Sequence, residues 1–159
     1  MGIFKTLSAV ARNRTTYRAG LLQAKAYRVL KQRTGKILAP FGISTIEWGF
    51  LGLLTDSTRM RARALADELG VEPPFVTVMA AKLEKKGLVA MQKNTEDKRA
   101  KTFYLTPRGK TFVEEVEKTV RAEIRPLVTG INPAAFIGYF QVLEKIVENS
   151  REKHDRSSL

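Results

Sequence analysis

Apolar residues recur at helical spacing in six stretches of the chain and at alternate positions in two, with glycine, proline or polar breaks between them. From Thr16 to Thr34, Leu22, Ala26, Val29 and Leu30 share one helical face, with Arg18, Lys25 and Arg28 interleaved. Gly35, Pro40 and Gly42 break that pattern. A second helix is predicted from Ser44, an N-cap residue with Glu47 three positions on as the other half of a capping box. Trp48, Leu51 and Leu54 follow, and Asp56, Ser57 and Thr58 form the stop. Gly49 and Gly52 lower the intrinsic propensity, so packing must hold this helix. A short third helix spans about Arg61 to Leu69, with Leu65 and Leu69 apolar and Gly70 ending it. Val71 and Glu72 make a tight link to Pro73 and Pro74, which fit the first turn of a helix, where a missing N–H costs nothing. That fourth helix runs to about Lys86, buries Val76, Met79, Ala80 and Leu83, and ends at Gly87.

Alternation then replaces helical spacing. Val89 and Met91 mark one strand, Phe103 and Leu105 another, and the polar segment from Lys93 to Lys101 is the loop between them. Thr106 caps a fifth helix with Pro107 at its first position, and Phe112, Val116, Val120, Ile124 and Leu127 form its stripe. After Gly130, Asn132 and Pro133 repeat the cap-plus-proline start. The last helix, roughly Ala134 to Asn149, is apolar almost all round, with Phe136, Ile137, Tyr139, Phe140, Val142, Leu143, Ile146 and Val147. A chain this small has few places to bury such a helix, so a subunit interface is its expected use. The tail from Ser150 is polar and expected to fray.

The order of helix, tight turn, helix and hairpin is that of a winged helix-turn-helix, whose second helix enters the DNA major groove. Charge adds weight to this. The 159 residues hold 28 Lys and Arg against 16 Asp and Glu, a formal net charge of +12, which calls for an anionic partner. No acid precedes Glu47, while Lys5, Arg12, Arg14, Arg18, Lys25, Arg28, Lys31, Arg33 and Lys36 do. Lys98 and Arg99, with Lys93 and Lys101 nearby, make the hairpin a compact cationic point suited to the minor groove or to phosphates.

Enzyme chemistry finds no footing. Cysteine is absent, so disulfides, thiol redox sensing and Cys-based metal sites are excluded. The one histidine, His154, lies in the polar tail, and no nucleophile–base set, phosphate loop or metal-spaced cluster is present, so neither cofactor nor metal is expected. No run approaches the ~20 apolar residues of a membrane span, and a soluble cytoplasmic protein, nucleoid-associated when bound, is the expectation.

The stretch from Ser44 to Gly109 resembles the MarR family of regulators. The pieces that carry the resemblance are Leu65–Ala66 with Leu69–Gly70, Val76–Thr77, Leu83–Glu84–Lys85–Lys86–Gly87–Leu88–Val89, Asp97–Lys98–Arg99 and Leu105–Thr106–Pro107–Arg108–Gly109. The resemblance implies a homodimer held by the first and last helices, reading a pseudo-palindromic duplex with two recognition helices and two wings. It further implies repression, or less often activation, commonly relieved by a small ligand, often an aromatic or phenolic acid. It places Thr77 near the DNA backbone or a base edge, Arg99 in the minor groove, and Asp97 as the group that orients it. The chain departs from the family pattern at Val78 and Met91, where basic residues are common.

The expected architecture is therefore mainly α (α+β), a winged helix-turn-helix with N- and C-terminal dimerisation helices. Residues 1–42 form the basic segment and first dimerisation helix, 43–106 the DNA-binding domain, 107–150 the C-terminal dimerisation helices and 151–159 a polar tail. Arg61, Arg63, Pro74, Phe75, Thr77, Val78, Lys82, Lys93, Asp97, Lys98, Arg99 and Lys101 are the candidate DNA contacts. The recognition helix is poor in groups for bidentate base reading; either Phe75 or Val78 touches a thymine methyl, or specificity rests on DNA shape and the wing, or sequence preference is modest, and Lys82, Arg61, Arg63 and the basic amino-terminal segment are expected to bind phosphate. Leu22, Val29, Phe136, Tyr139, Phe140, Leu143, Ile146 and Val147 are assigned to the dimer interface, and Arg18, Tyr27, Arg28, Phe41, Trp48 and Phe50 to an effector pocket, with core packing the competing account of Trp48 and Phe50. Two other readings stay open: a basic protein that binds RNA or a membrane surface through its first helix, and a winged-helix interaction module that reads no DNA sequence.

Overall fold

A computed structural model describes residues 15–93 and 101–156. It contains helix α1 (Thr15–Leu38), a 3-10 turn (Ala39–Phe41), α2 (Thr45–Asp56), strand β1 (Met60–Arg61), α3 (Ala62–Leu69), α4 (Pro73–Lys85), β2 (Val89–Lys93), β3 (Lys101–Leu105), α5 (Pro107–Val128) and α6 (Pro133–Arg156). The mainly helical winged helix-turn-helix architecture is present, with one strand more than the alternation predicts. The chain divides into two compact units, Met1–Ile124 and Arg125–Leu159.

In the first unit the helix ends follow local chemistry. Ser44 caps α2 in extended conformation, its hydroxyl accepting from Glu47 N while the Glu47 carboxylate accepts from Ser44 N. Gly70 ends α3 at φ 65°, and Val71 N–H closes on the Ala66 carbonyl. Pro73 and Pro74 open α4, which buries Val76, Met79, Ala80 and Leu83, the predicted stripe. Helix α1 differs from expectation: it runs through Gly35 to Leu38. Thr34, Ile37 and Leu38 are buried there, and that packing outweighs the ~1 kcal/mol cost of a glycine inside a helix.

The sheet order is β1-β3-β2, antiparallel throughout. Val89 lies opposite Leu105 and Met91 opposite Phe103, so the apolar positions of the wing stem fall on one face, toward the core. Met60 lies across the other side of Phe103. Strand β1 escapes the sequence reading because two residues are too few to show alternation, and it exists only through its pairing with β3. Phe50 packs edge-on to Phe103 with centroids 6.1 Å apart, joining α2 to the sheet.

Helix α5 contributes Val113, Val116 and Val120 to the core, with Phe112 and Ile124 packed beside them. Val113 takes part where the predicted stripe passes over it, and Leu127 is exposed. Thr106 caps this helix, its hydroxyl accepting from Gly109 N at 2.9 Å and donating to the Gly87 carbonyl at 2.6 Å. Gly109 sits so tightly that a Cβ there would lie 1.9 Å from the Leu88 carbonyl oxygen.

The second unit holds the end of α5, a turn at Gly130 and α6. Asn132 caps α6 through its side-chain oxygen, which accepts from Ala134 N at 2.9 Å. The helix continues to Arg156, seven residues past the predicted end at Asn149, so 150–156 are helical rather than a frayed tail. Phe140 makes edge-to-face contacts with both Phe136 and Tyr139. Phe136, Ile137, Tyr139, Phe140, Val142, Ile146 and Val147 are nonetheless exposed, and Leu143 is half-buried.

Two glycines give opposite expectations. Gly109→Ala forces its methyl into the Leu88 carbonyl and should cost about 3 kcal/mol, at the upper end of overpacking penalties. Gly52 lies inside α2 with open space where a Cβ would sit, so Gly52→Ala should stabilise by about 0.5–1 kcal/mol. Urea denaturation of both variants checks the pair of signs.

Candidate nucleic-acid interface

The surface is built around α4. With its inner stripe in the core, the helix presents Pro74, Phe75, Val78, Ala81 and Lys82 outward, and Thr77 is half-buried. Phe75 is 48% and Val78 69% exposed, large apolar side chains left in solvent on a helix that is otherwise well packed. Arg61 at the end of β1 and Arg63 in the first turn of α3 are exposed, and Arg63 has only a loose contact to Asp67, at 3.8 Å. The wing stem ends with Lys93 in register with Lys101. Asp97, Lys98 and Arg99 lie outside the described residues.

Lys82, expected as a phosphate contact, is otherwise engaged. Its ammonium lies 2.8 Å from Glu47 Oε1. Glu47 is 3% exposed, and its other carboxylate oxygen accepts from Ser44 N at 2.7 Å and Ser44 Oγ at 2.9 Å. One turn later, Lys86 Nζ donates to the Gly42 carbonyl. The sequence shows each residue but not the pairing, since α2 and α4 meet only through the tertiary fold.

Arg59 is a feature the sequence reading missed. Its guanidinium donates to Gln92 Oε1 on β2 at 2.8 Å and stacks over the Tyr104 ring of β3, 5.4 Å from the centroid. It braces the wing stem from the segment before β1. Beside it, a cavity of about 450 Å³ opens between the end of α2, β3 and the start of α5, lined by Leu54, Thr55, Thr58, Arg59, Tyr104, Leu105, Lys110, Val113 and Glu114.

The residues expected to form an effector pocket are not gathered in one place. Phe50 is fully buried in the core, because it lies on the inner face of α2 against Phe103. Trp48 is half-buried and its indole N–H donates to Glu117 Oε1 at 2.8 Å, tying α2 to α5. Phe41 packs edge-on to Phe112. Tyr27 is exposed with the Lys31 ammonium over its ring, and Arg18 and Arg28 are exposed on α1. Leu22 and Val29, assigned to dimerisation, are likewise exposed on α1. Among the described residues no three His, Asp or Glu converge on a metal position, and no single helix is long and apolar enough to cross a membrane.

Burial alone would raise the Glu47 carboxyl pKa. The hydrogen bonds from Lys82 and Ser44 and the Lys82 charge outweigh it, and the net direction is downward from the ordinary value. A group depressed in the folded state stabilises the fold above its unfolded pKa, and that contribution is lost as pH falls through the folded value. Glu47→Gln should therefore cost about 1–2 kcal/mol at pH 7. The gap between variant and parent should close below about pH 4.3, the unfolded glutamate value. Chemical denaturation at pH 7 and at pH 3 measures both points; a gap that stays constant would contradict the assignment.

A sequence model of the MarR family matches residues 43–101, the span from the α1–α2 corner to the first residue of β3. An HTH-type transcriptional repressor of Mycobacterium tuberculosis is 26% identical over 127 residues, covering 80% of this chain and 91% of its own. Among solved structures, AbsC, a MarR family transcriptional regulator from Streptomyces coelicolor, aligns with a TM-score of 0.78 at 23% identity over 87% of this chain and 96% of its own. CouR from Rhodococcus jostii RHA1 aligns with a TM-score of 0.74 at 22% identity over 81% and 91%. The matched span runs from α2 to the start of β3, elements that build the surface around α4; over that span the chain is similar to the MarR family, and its fold is the winged helix-turn-helix of the family's solved members.

Proposed function

We propose that the protein is a homodimeric repressor that binds pseudo-palindromic duplex DNA, with α4 in the major groove and the wing in the adjacent minor groove. The observation that carries this is the state of α4: its inner stripe is fully packed while Phe75 and Val78 stand exposed. A duplex accounts for this, supplying thymine methyls to the apolar side chains. Arg61 and Arg63 serve phosphates, Thr77 the backbone or a base edge, and Arg99, oriented by Asp97 and flanked by Lys98, the minor groove.

A second copy of the chain accounts for the exposed apolar faces. Leu22 and Val29 on α1, and Phe136, Tyr139, Phe140, Ile146 and Val147 on α6, are more apolar surface than a monomer leaves uncovered. A two-fold dimer then matches a palindromic site in the cytoplasm, where the nucleoid is reached directly. The mycobacterial repressor supports the direction of regulation.

Relief by a small aromatic or phenolic acid is the finer part of the proposal. What favours it is the cavity beside β3, with an apolar wall of Leu54, Leu105 and Val113 and the cations Arg59 and Lys110. A carboxylate that draws Arg59 away from Gln92 would loosen the wing stem, which is the differential contact a ligand needs to shift DNA affinity. The CouR structure holds p-coumaroyl-CoA, so p-coumarate is a suitable probe.

Selection of bound sites from random duplexes should return inverted half-sites about one helical turn, ~10 bp, apart; a lone asymmetric site would count against the dimer. Arg99→Ala should weaken binding about tenfold and relax base preference, whereas Arg61→Ala should weaken it evenly and lower the salt slope by about one. If Arg99→Ala changes nothing, the interaction-module reading is favoured. p-Coumarate should weaken operator binding by the native protein and fail to do so in Lys110→Ala. No calorimetric binding of p-coumarate would remove that probe's chemistry from the proposal.

A further inference from the structure

Two lysines on successive turns at the end of α4 reach back to the corner between α1 and α2. Lys82 is held by the buried Glu47 carboxylate and Lys86 by the Gly42 carbonyl. Gly42 ends the 3-10 turn that follows α1, at φ 67°, and Glu47 lies in the first turn of α2. The recognition helix is thus fastened by side chains to the point where the chain turns from α1 into α2.

We propose that Glu47 and Lys82 are a positioning pair that fixes the recognition helix against this corner, and that Lys82 supports DNA binding without touching phosphate. The inference rests on the DNA-binding reading above. Glu47 is the constraint that gives the pair its strength. Its Oε2 is taken by two Ser44 donors, and Oε1 faces Lys82. Releasing the lysine would leave a nearly buried carboxylate without its countercharge, which is far costlier than breaking an exposed pair. Lys82 is itself more than half exposed, at 57%, so it has the reach to meet phosphate yet is held away from it by Glu47. Because the corner is continuous with α1, any shift of that helix is carried to α4 through these contacts. Lys86 adds a second fastening one turn on, so the helix resists rotation as well as sliding.

Operator binding across a salt series, together with hydrogen exchange of the free protein, tests the pair. Lys82→Met and Glu47→Gln should each weaken binding about tenfold with the salt slope unchanged. Lys82→Arg should stay near the parent. The double variant Glu47→Gln/Lys82→Met should bind no worse than the weaker single, as expected of two residues acting as one unit. A slope lower by about one in Lys82→Met would make Lys82 a phosphate contact and overturn the proposal. So would tighter binding by Glu47→Gln, which frees the lysine, or additive losses in the double variant. Exchange is read without DNA: both single variants should speed it at amides 43–47 and 82–86 while leaving β2 and β3 protected. Unchanged exchange at those amides would overturn the pair even if operator binding is confirmed. A parent protein that binds no duplex would instead overturn the DNA reading, leaving the exchange result to judge the fastening.

Discussion

The approach of Gly109 to the Leu88 carbonyl is the constraint on which the DNA-facing geometry depends. Four elements meet there: the end of α4 at Gly87, the start of β2, the end of β3 at Leu105 and the start of α5. Thr106 ties them together, donating through its hydroxyl to the Gly87 carbonyl, accepting from Gly109 N, and donating through its own N–H to the Leu88 carbonyl at 3.1 Å. Carbonyls left by the end of one helix are thereby satisfied by the cap of the next, so the junction can be buried without unpaired polar groups. The contact works only if residue 109 has no side chain and if residue 87 accepts φ 70°. Both are glycine, and the angle between recognition helix and wing follows from what those residues lack.

The net charge of +12 overstates the cation content available to DNA. Lys82 faces Glu47, Arg33 donates to Glu123 at 2.7 Å, Lys86 is held by Gly42, and Arg59 lies between Gln92 and Tyr104. These cations fasten the lobe, joining α1 to α5, α2 to α4 and the pre-strand segment to the wing. Most are half-exposed pairs, whose contribution to stability is small one by one. Their value is in orientation, since each links elements that share little other contact. Around α4, by contrast, Arg61 is exposed and Arg63 is only loosely held.

Much of this was legible in the sequence because it is local. The capping box at Ser44 and Glu47, the prolines opening α4, its four-residue stripe and the Thr106 cap each depend on residues within a few positions of one another. What was not legible is non-local. Strand β1 exists only through Phe103 and Thr102 forty residues on, and Gly35 stays helical only because Ile37 and Leu38 find a core. Lys82 reads as a free surface cation until α2 is laid beside it. The same holds for Phe50: its aromatic character suits a ligand pocket and a core equally, and the fold assigns it to the core. For the interface, the exposed positions of α4 follow from periodicity alone, whereas the group that orients them does not.

The apolar outer face of α4 gives that orientation its importance. A guanidinium or amide that makes two hydrogen bonds to a base corrects small errors of placement, because its side chain is long and the bonds are directional. Phe75 and Val78 have no such means. Apolar contact with a methyl gains free energy only at van der Waals distance and loses much of it within an ångström. A recognition helix of this composition must therefore be set by its supports rather than by its own side chains. The supports described by the structure are the Thr106 junction on the wing side and the Glu47–Lys82 pair on the α1 side. The apolar outer face of α4 and the engagement of Lys82 by Glu47 are then two aspects of one arrangement, in which the proposed reading of DNA rests on how firmly the helix is held.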